Sequence, residues 1–400
     1  MVQDGSEVIP NLRHVAGIEA IGREGTLSAA AAAVSLSQPA MTQGLAAIER
    51  SLGTPLFLRA RSGMTPTEAG EIYLRRINRG LALLRRAGQA AGRPNLWRMV
   101  SLGQLTALIA AVEHGGIRPA AAALGREAST ISRGCRGLSD LAGLPLFEAT
   151  SHGMTPSRPA RDLARLGGLA LAELEQARLD VADWQGSFGG RIVVGCLPLA
   201  QPALLPEALC RFAGEFPTVA ISVADGLYPA LAQDLRHGRI DLLIGALREE
   251  NLPDGVTERI LFSDNLCIAA RPGHPLAYGA VTDAHLARFP WIAPRSGAPS
   301  RAHFDALQAR LAPDGCPRPL ETGSSAVIAG LLARSDRLAL VSRTQVEDDL
   351  AAGRLSLIET EIPDTPRAIG YAHRSDWLPS VPQARFLEIF EEVVARPGLS

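Results

Sequence analysis

Residues 25–70 read GTLSAAAAAVSLSQPAMTQGLAAIERSLGTPLFLRARSGMTPTEAG. Thr26 is a fair N-cap for a short helix through Ala33, because its hydroxyl can accept an N–H of the first turn. A turn at Ser35-Leu36 leads to Ser37-Gln38-Pro39. Ser37 can cap a further helix there, and Pro39 can occupy its first turn, where a missing N–H costs nothing. That helix carries Ala40, Met41, Leu45 and Ile48 inward, puts Thr42 and Gln43 on its other side, and stops at Gly53. Residues 56–58, a turn at 61–63 and residues 64–66 make a small hairpin, or wing. Upstream, Leu12, Val15, Ile18 and Ile21 follow helical spacing. Downstream, Thr67 can cap a long helix with Glu71, Leu74, Ile77, Leu81 and Leu84 along it. A short helix before one with an exposed, polar N-terminal turn is helix-turn-helix geometry. In that geometry the later helix enters the DNA major groove, and short polar side chains near its start meet base edges.

The pattern is written twice. Residues 12–70 align without a gap with residues 102–160 at an offset of 90, with sixteen of 59 positions identical. Gly25 matches Gly115, Gly44 matches Gly134 and Gly53 matches Gly143. Pro55-Leu56-Phe57 matches Pro145-Leu146-Phe147, and Gly63-Met64-Thr65-Pro66 matches Gly153-Met154-Thr155-Pro156. Alanine-rich composition explains the shared alanine run, but it does not explain two matched blocks in one register, so the repeat is read as a duplication.

The first copy resembles the N-terminal domain of LysR-type transcriptional regulators. Ser37-Gln38-Pro39-Ala40, Ile48-Glu49, Leu52-Gly53, Leu56-Phe57, Arg59, Thr65 and Ala69-Gly70 stand where that family's motif residues stand. Leu27 replaces a usual aromatic and Met64 a usual leucine, both conservative packing changes. The resemblance implies that the turn over residues 37–43 (Ser37, Gln38, Pro39, Ala40, Thr42, Gln43) enters a major groove, with Gln38, Thr42 and Gln43 at base edges. Thr26, Ser28, Arg59 and Arg61 would hold phosphates or the minor groove at the wing.

The family carries one such domain per chain; this chain carries two, and they are unequal. Residues 10–98 hold 12 Arg and 5 acids, a net of +7, whereas residues 99–186 hold 8 Arg and 9 acids, a net of −1. Glu127-Ala128-Ser129-Thr130 replace S-Q-P-A, Ala149 replaces Arg59 and Ser151 replaces Arg61. Cations on phosphates supply much of the affinity for DNA, so the second copy is expected to bind more weakly. It keeps Ser132 and Arg133 at the positions of Thr42 and Gln43, with Arg136 one turn on. Arg133 either reads a guanine or is a surface arginine on a degenerate domain. In the family the long helix after the wing pairs antiparallel with the same helix of a second subunit. Here residues 67–91 and 157–184 are two such helices. They pair either within the chain, as a pseudo-dimer suited to asymmetric half-sites, or between chains, giving four heads per dimer. Residues 87–95 (AGQAAGRPN) read as a flexible join compatible with both.

From Arg191 the pattern becomes strand-helix alternation, which suggests parallel sheets in α/β lobes. Strands are expected at residues 192–196, 219–223, 240–244, 261–270, 290–293 and 338–341. Helices are expected at 203–213, 228–237, 300–311, 325–333 and 345–352. The strings IVVGCLPLAQPALLPEALCRFAGEFP, HGRIDLLIGAL and ARPGHPLA resemble the same family's effector-binding domain, which looks like a periplasmic binding protein. The expected architecture is α plus α/β. It runs as a winged helix-turn-helix (10–66), a linker helix (67–98), a degenerate second copy (99–156), a second linker helix (157–186) and a two-lobed effector domain (191–396). Lobe 1 is about 191–268 with 370–396, and lobe 2 about 269–369, with crossovers near 264–272 and 366–373. Ligands sit at the carboxyl ends of strands near helix N-termini. That rule selects Pro198, Leu199, Ala200, Gln201, Gly226 and Tyr228, with Arg295, Ser296, Ser324 and Ser325 from lobe 2. Arg295 either grips a carboxylate or is a surface loop residue, and Ser324 and Ser325 are as readily helix caps as ligand donors.

The 400-residue chain has 46% hydrophobic and 4% aromatic residues, so aliphatic side chains must fill its core. All 40 basic residues are Arg, which excludes mechanisms that need an active-site lysine. Residues 1–186 carry a net of +4 and residues 187–400 a net of −5, a basic half joined to an acidic one. Five scattered cysteines without CxxC spacing point to reduced cytoplasmic thiols. Cys196, at a strand end, is either a redox sensor or a buried packing residue, and no second cysteine lies near it in sequence. His237 and His274 read as loop residues, and no His or Cys cluster has metal-ligand spacing. No apolar run reaches membrane-spanning length, and the N-terminus has no secretory pattern. An enzyme is not expected, nor a metal or cofactor. A ligand-responsive regulator is the leading reading, ahead of a binding protein that has lost DNA binding and an architectural DNA binder without an effector. The resemblance implies double-stranded DNA, RNA polymerase and a homo-oligomer as partners, and a small organic acid or sugar-derived inducer.

Overall fold

The computed structural model describes residues 11–61, 63–150, 153–248, 252–311, 318–360, 362 and 365–395. Ser151, Cys316 and the outer ends of the expected domains (residues 10 and 396) lie outside the described residues. The chain divides into two compact units at Gly189/Gly190.

The first unit runs α1 (Leu12–Glu24), α2 (Leu27–Ala33), α3 (Gln38–Leu52), the β1 (Phe57–Ala60) and β2 (Gly63–Pro66) hairpin, and α4 (Glu68–Ala90). After α5 (Leu96–Met99) the order repeats as α6 (Leu102–Glu113), α7 (Ile117–Ala123), α8 (Ala128–Ala142), β3 (Phe147–Thr150), β4 (Gly153–Pro156) and α9 (Arg158–Trp184). Both hairpins are antiparallel, pairing Phe57 with Pro66 and Phe147 with Pro156. Leu12, Val15, Ile18, Ile21, Met41, Leu45 and Ile48 are buried in one cluster, so the inward face read from spacing is the packed face.

Helix α4 begins where Thr67 Oγ1 accepts from Gly70 N at 3.0 Å and donates to Pro55 O at 2.8 Å. Gly70 is required there, because a Cβ would lie 2.0 Å from Leu56 O. Helices α4 and α9 then pack along each other within the chain. Arg76 reaches Asp180, while Gly80 abuts Ala170 and Leu174, so the two run antiparallel. A Cβ on Gly80 would stand 3.1 Å from Ala170 O, so the missing side chain is what lets the two backbones come this close. Residues 87–95 are not the flexible join expected: 87–90 complete α4, Ala87 and Gly88 are buried, and Leu96 and Trp97 anchor the following turn in the core. Burial of these residues outweighs the glycine-rich composition.

Among the described residues the second unit holds two five-stranded sheets. Its elements are β5 (Arg191–Cys196), a 3-10 turn (Pro198–Ala200), α10 (Leu204–Glu215), β6 (Ala220–Asp225), α11 (Tyr228–Arg236), β7 (Leu242–Ala246), β8 (Val256–Asp264), β9 (Leu266–Ala270), α12 (Asp283–Leu286), β10 (Trp291–Ala293), α13 (Pro299–Leu311), β11 (Leu320–Glu321), α14 (Ser325–Leu332), β12 (Leu338–Ser342), α15 (Arg343–Ala351), β13 (Ser356–Ile358), β14 (Arg367–Arg374) and α16 (Val381–Val394). The sheet orders are β6-β5-β7-β14-β8 and β11-β10-β12-β9-β13. Two expectations need correction. Neither sheet is purely parallel: β14 runs antiparallel to β7 and β8, and β9 antiparallel to β12 and β13. The single strand expected over 261–270 is two strands in different sheets, broken at Asn265. The first lobe boundary therefore falls near residue 265, and the second lies between β13 and β14 rather than at 369/370.

Candidate nucleic-acid interface and effector site

The start of α3 is shaped by its own cap. Ser37 Oγ accepts from Ala40 N at 3.3 Å, which leaves its O–H free to donate outward. Gln38, Pro39 and Gln43 are exposed, whereas Ala40 and Thr42 are half-buried. Thr42 Oγ1 donates to Gln38 O at 3.0 Å, so its hydroxyl is partly engaged. Gly44 is buried against the His14 ring, which seats α3 on α1 with its polar side outward. Thr26 Oγ1 accepts from Ala29 N at 3.3 Å, and Thr26 and Ser28 are exposed.

The wing is tied to this surface at two points. Met64 N donates to Gly25 O at 2.7 Å, beside the start of α2. Glu49 Oε1 accepts from Leu56 N at 2.8 Å and Phe57 N at 3.4 Å, joining α3 to β1. Sequence reasoning matched Glu49 to a motif without giving it a role; the available signal was a carboxylate one turn before a helix end, followed by strand amides in need of an acceptor. Arg59 and Arg61 stand exposed on the hairpin. The structure thus brings Thr26, Ser28 and the hairpin that carries Arg59 and Arg61 together, with the α3 turn joined through Glu49.

The second copy keeps the scaffold with different chemistry. Ser139 Oγ takes the place of Glu49, accepting from Leu146 N at 3.3 Å. Glu127 stands at the N-cap of α8 without a side-chain cap bond. Arg133 and Arg136 are exposed and Ser132 is half-buried, so one polar turn survives on α8.

In the second unit the candidate effector residues divide. Leu199 and Ala200 are buried, so of the two only the backbone is available to a ligand. Pro198 and Gln201 are half-buried. Ser325 Oγ donates to Pro198 O at 3.2 Å and accepts from Gln345 Nε2 at 2.9 Å, so the 3-10 turn and the start of α14 do meet. Gln345 was not anticipated. Ser324 is a cap, accepting from Val327 N at 3.4 Å. Ser296 N donates to Glu321 Oε1 at 3.1 Å, and exposed Arg295 lies over Gly323.

Gly226 is exposed, and the Tyr228 ring carries the Arg248 guanidinium 4.6 Å above it. Tyr228 OH and Arg248 N both donate to the Glu258 carboxylate, and Arg248 Nη2 donates to Gly297 O at 3.1 Å. Arg248 therefore links the first sheet's loops to the loop holding Arg295 and Ser296. Where the chain crosses between sheets, Asp264 accepts from Arg367 Nη2 at 3.0 Å, from Ser342 Oγ and from Thr344 Oγ1 at 3.3 Å. Sequence reasoning missed this knot, because only pairing of the crossover strands brings an acid and an arginine 103 residues apart together.

Cys196 is buried, and burial together with the Asp225 charge pushes its thiol up to about 12, which disfavours the thiolate a sensor needs. His274 sits in a turn as expected but is fully buried, its ring accepting from Leu276 N at 3.1 Å. Among the described residues no helix is long and apolar enough to cross a membrane.

Known proteins match both units. The family profile described as "LysR substrate binding domain" matches residues 185–395. The profile "Bacterial regulatory helix-turn-helix protein, lysR family" matches twice, at 12–71 and 102–161. The HTH-type transcriptional regulator GalR of Pseudomonas putida is 32% identical over 395 residues, covering 96% of this chain and 98% of that one. The HTH-type transcriptional regulator PcaQ of Agrobacterium fabrum is 27% identical over 263 residues, covering 66% of this chain and 85% of that one. Among solved structures, ArgP from Mycobacterium tuberculosis superposes with a TM-score of 0.54 at 19% identity, covering 73% of this chain and 96% of that one. A full-length OxyR variant from Pseudomonas aeruginosa superposes with a TM-score of 0.53 at 18% identity, covering 74% and 95%. At those identities the solved structures speak to fold alone.

Proposed function

The chain belongs to the LysR family of bacterial transcriptional regulators, and we propose that it is a ligand-responsive, sequence-specific DNA-binding regulator whose two helix-turn-helix copies act as a pseudo-dimer. The first copy is the main reading head. Gln38, Thr42 and Gln43 meet base edges, Ser37, Pro39 and Ala40 shape the turn that delivers them, and Thr26, Ser28, Arg59 and Arg61 hold the DNA backbone or minor groove. The observation that carries this reading is the exposed α3 turn joined through Glu49 to a wing whose two arginines face solvent. The second copy is a partner or an altered head, with Ser132 and Arg133 in the reading positions; the within-chain packing of α4 on α9 supports the pseudo-dimer.

The second unit binds a small inducer between its lobes, near Pro198, Gln201, Gly226, Tyr228, Arg295, Ser296 and Ser325. An organic acid fits the nearby arginines. Inducer binding changes the placement of the DNA-binding domains, and with it DNA bending and contact with RNA polymerase. Unequal heads call for asymmetric half-sites, and the chain works as a cytoplasmic homo-oligomer.

Footprinting on the DNA upstream of its own gene tests this. Wild type is compared with Gln38→Ala/Gln43→Ala, with Arg133→Ala and with Arg59→Ala. The first variant loses protection over one half-site. Arg59→Ala weakens binding to all sequences and lowers the log–log salt slope by about 0.9, one phosphate contact. Loss of a second half-site in Arg133→Ala marks the second copy as a reader, and unchanged protection there marks it as a structural partner. Full protection by the Gln38/Gln43 variant overturns the reading.

A further inference from the structure

The α4–α9 seam contains a charge cluster that the duplication does not repeat. Arg76 is buried, with a side chain only 3% exposed. Its Nε donates to Asp180 Oδ2 at 2.7 Å and its Nη1 to Glu173 Oε2 at 3.2 Å. Arg79 Nε and Nη2 both donate to Glu173 Oε1, at 3.1 and 3.0 Å, and Gln176 Nε2 donates to Asp180 Oδ1 at 2.7 Å. The arginines lie on α4 and the acids on α9.

The two helices cross about a pseudo-dyad. Gly80 lies against Ala170, its own counterpart at the offset of 90. That offset gives the mirror image of each charged residue: Leu166 for Arg76, Leu169 for Arg79, Leu83 for Glu173 and Ala90 for Asp180. The mirrored half of the seam is therefore apolar. If α4 paired with α4 of a second chain, each buried Arg76 would face Leu83 and Ala90. If α9 paired with α9, Glu173 and Asp180 would face Leu166. The first arrangement strands a buried charge and the second two half-buried ones, and a buried charge that loses its partner is strongly destabilising. Only α4 against α9 satisfies all four groups.

We propose that the Arg76–Glu173–Asp180 cluster makes α4 selective for an α9 as its partner helix and bars α4 from pairing with a second α4. The proposal rests on the pseudo-dimer reading and deepens it. The interaction surface on α4 fits a helix that offers two acids seven residues apart opposite Arg76, which the chain itself supplies.

The test uses the full chain with a photo-crosslinking amino acid at exposed Ala90, on the same helix stripe as Arg76, Gly80 and Leu83. Wild type is expected to give adducts of single-chain mass that map to α9. Arg76→Glu, which sets three acids together, is expected to lower those adducts more than about tenfold. Arg76→Glu/Glu173→Arg/Asp180→Arg is expected to restore them, which a loss of folding alone cannot produce. Arg76→Glu chains co-expressed with Glu173→Arg/Asp180→Arg chains are expected to give double-mass adducts from α4 of one chain to α9 of the other. Undiminished adducts in Arg76→Glu, or no restoration in the triple variant, overturn the selectivity while leaving the pseudo-dimer standing. Double-mass α4–α4 adducts in wild type overturn the pseudo-dimer itself.

Discussion

Asp183, in the last turn of α9, is an acid held against its preference. It is 7% exposed, and among the described residues its Oδ1 has no hydrogen-bond partner. Burial first, and then the charge of Asp180, push its carboxyl up to about 6 from 3.8, while the Gly189 amide and Arg76 pull the other way. Because the folded value is raised, the folded state holds the proton more tightly than the unfolded chain. The favourable contribution is complete below about pH 4 and is lost as pH rises through about 6. At about 1.4 kcal/mol per unit the whole shift corresponds to about 3 kcal/mol. Exposed Trp184 and Gln185 beside it admit solvent that screens part of this, leaving about 2 kcal/mol. Asp183→Asn keeps the shape and removes the charge. At pH 7.5 it should slow amide exchange in the last two turns of α9 on the order of 30-fold relative to wild type, the equivalent of about 2 kcal/mol. At pH 4 the two proteins should exchange alike, because wild type is then protonated. Equal protection at pH 7.5, or a difference of the same size at both pH values, would refute the buried charge as the cause.

Two further outcomes follow from close packing and charge burial. Gly70→Ala forces a Cβ to within 2.0 Å of Leu56 O at the joint of wing and α4. It should cost about 3 kcal/mol and reduce DNA affinity, read by thermal unfolding and by titration with the operator; wild-type stability would show that the joint yields. Asp264→Ala leaves Arg367, with an 11% exposed side chain, as an unpaired buried charge, and should destabilise the unit over 190–400 by about 3–5 kcal/mol, read by denaturant unfolding of that unit, with the helical unit's DNA binding unchanged.

The surface proposed to face DNA is readable because its signals are local. Caps, a proline in a first turn and helical spacing placed α1 to α4 and the exposed α3 turn within a residue or two, and the repeat placed the second copy by register alone. The effector region was less readable. Strand β8 runs straight toward β9 with only Asn265 between them, so hydrophobicity sees one strand where two sheets take one each. Among the described residues between β13 and the antiparallel β14 there is no helix, and alternation alone does not register that strand. Arg76 shows the same limit: on a helix, arginine reads as solvent-facing, and only the partner helix a hundred residues on explains its burial. Leu199 and Ala200 show a further limit: strand-end geometry fixes where a turn lies but not which of its side chains face out.

The packing of α4 on α9 inside one chain also bears on how such a protein can change. In a symmetric dimer every mutation occurs twice, so neither head can alter without the other. Here each helix-turn-helix copy has its own codons, and the two are joined by covalent bonds and a one-sided charge cluster. A substitution at Gln43 leaves Arg133 untouched, and the reverse. On the proposed function the bound complex then has a left and a right, so a binding site could point toward one of two divergent genes, a direction that a palindrome does not encode.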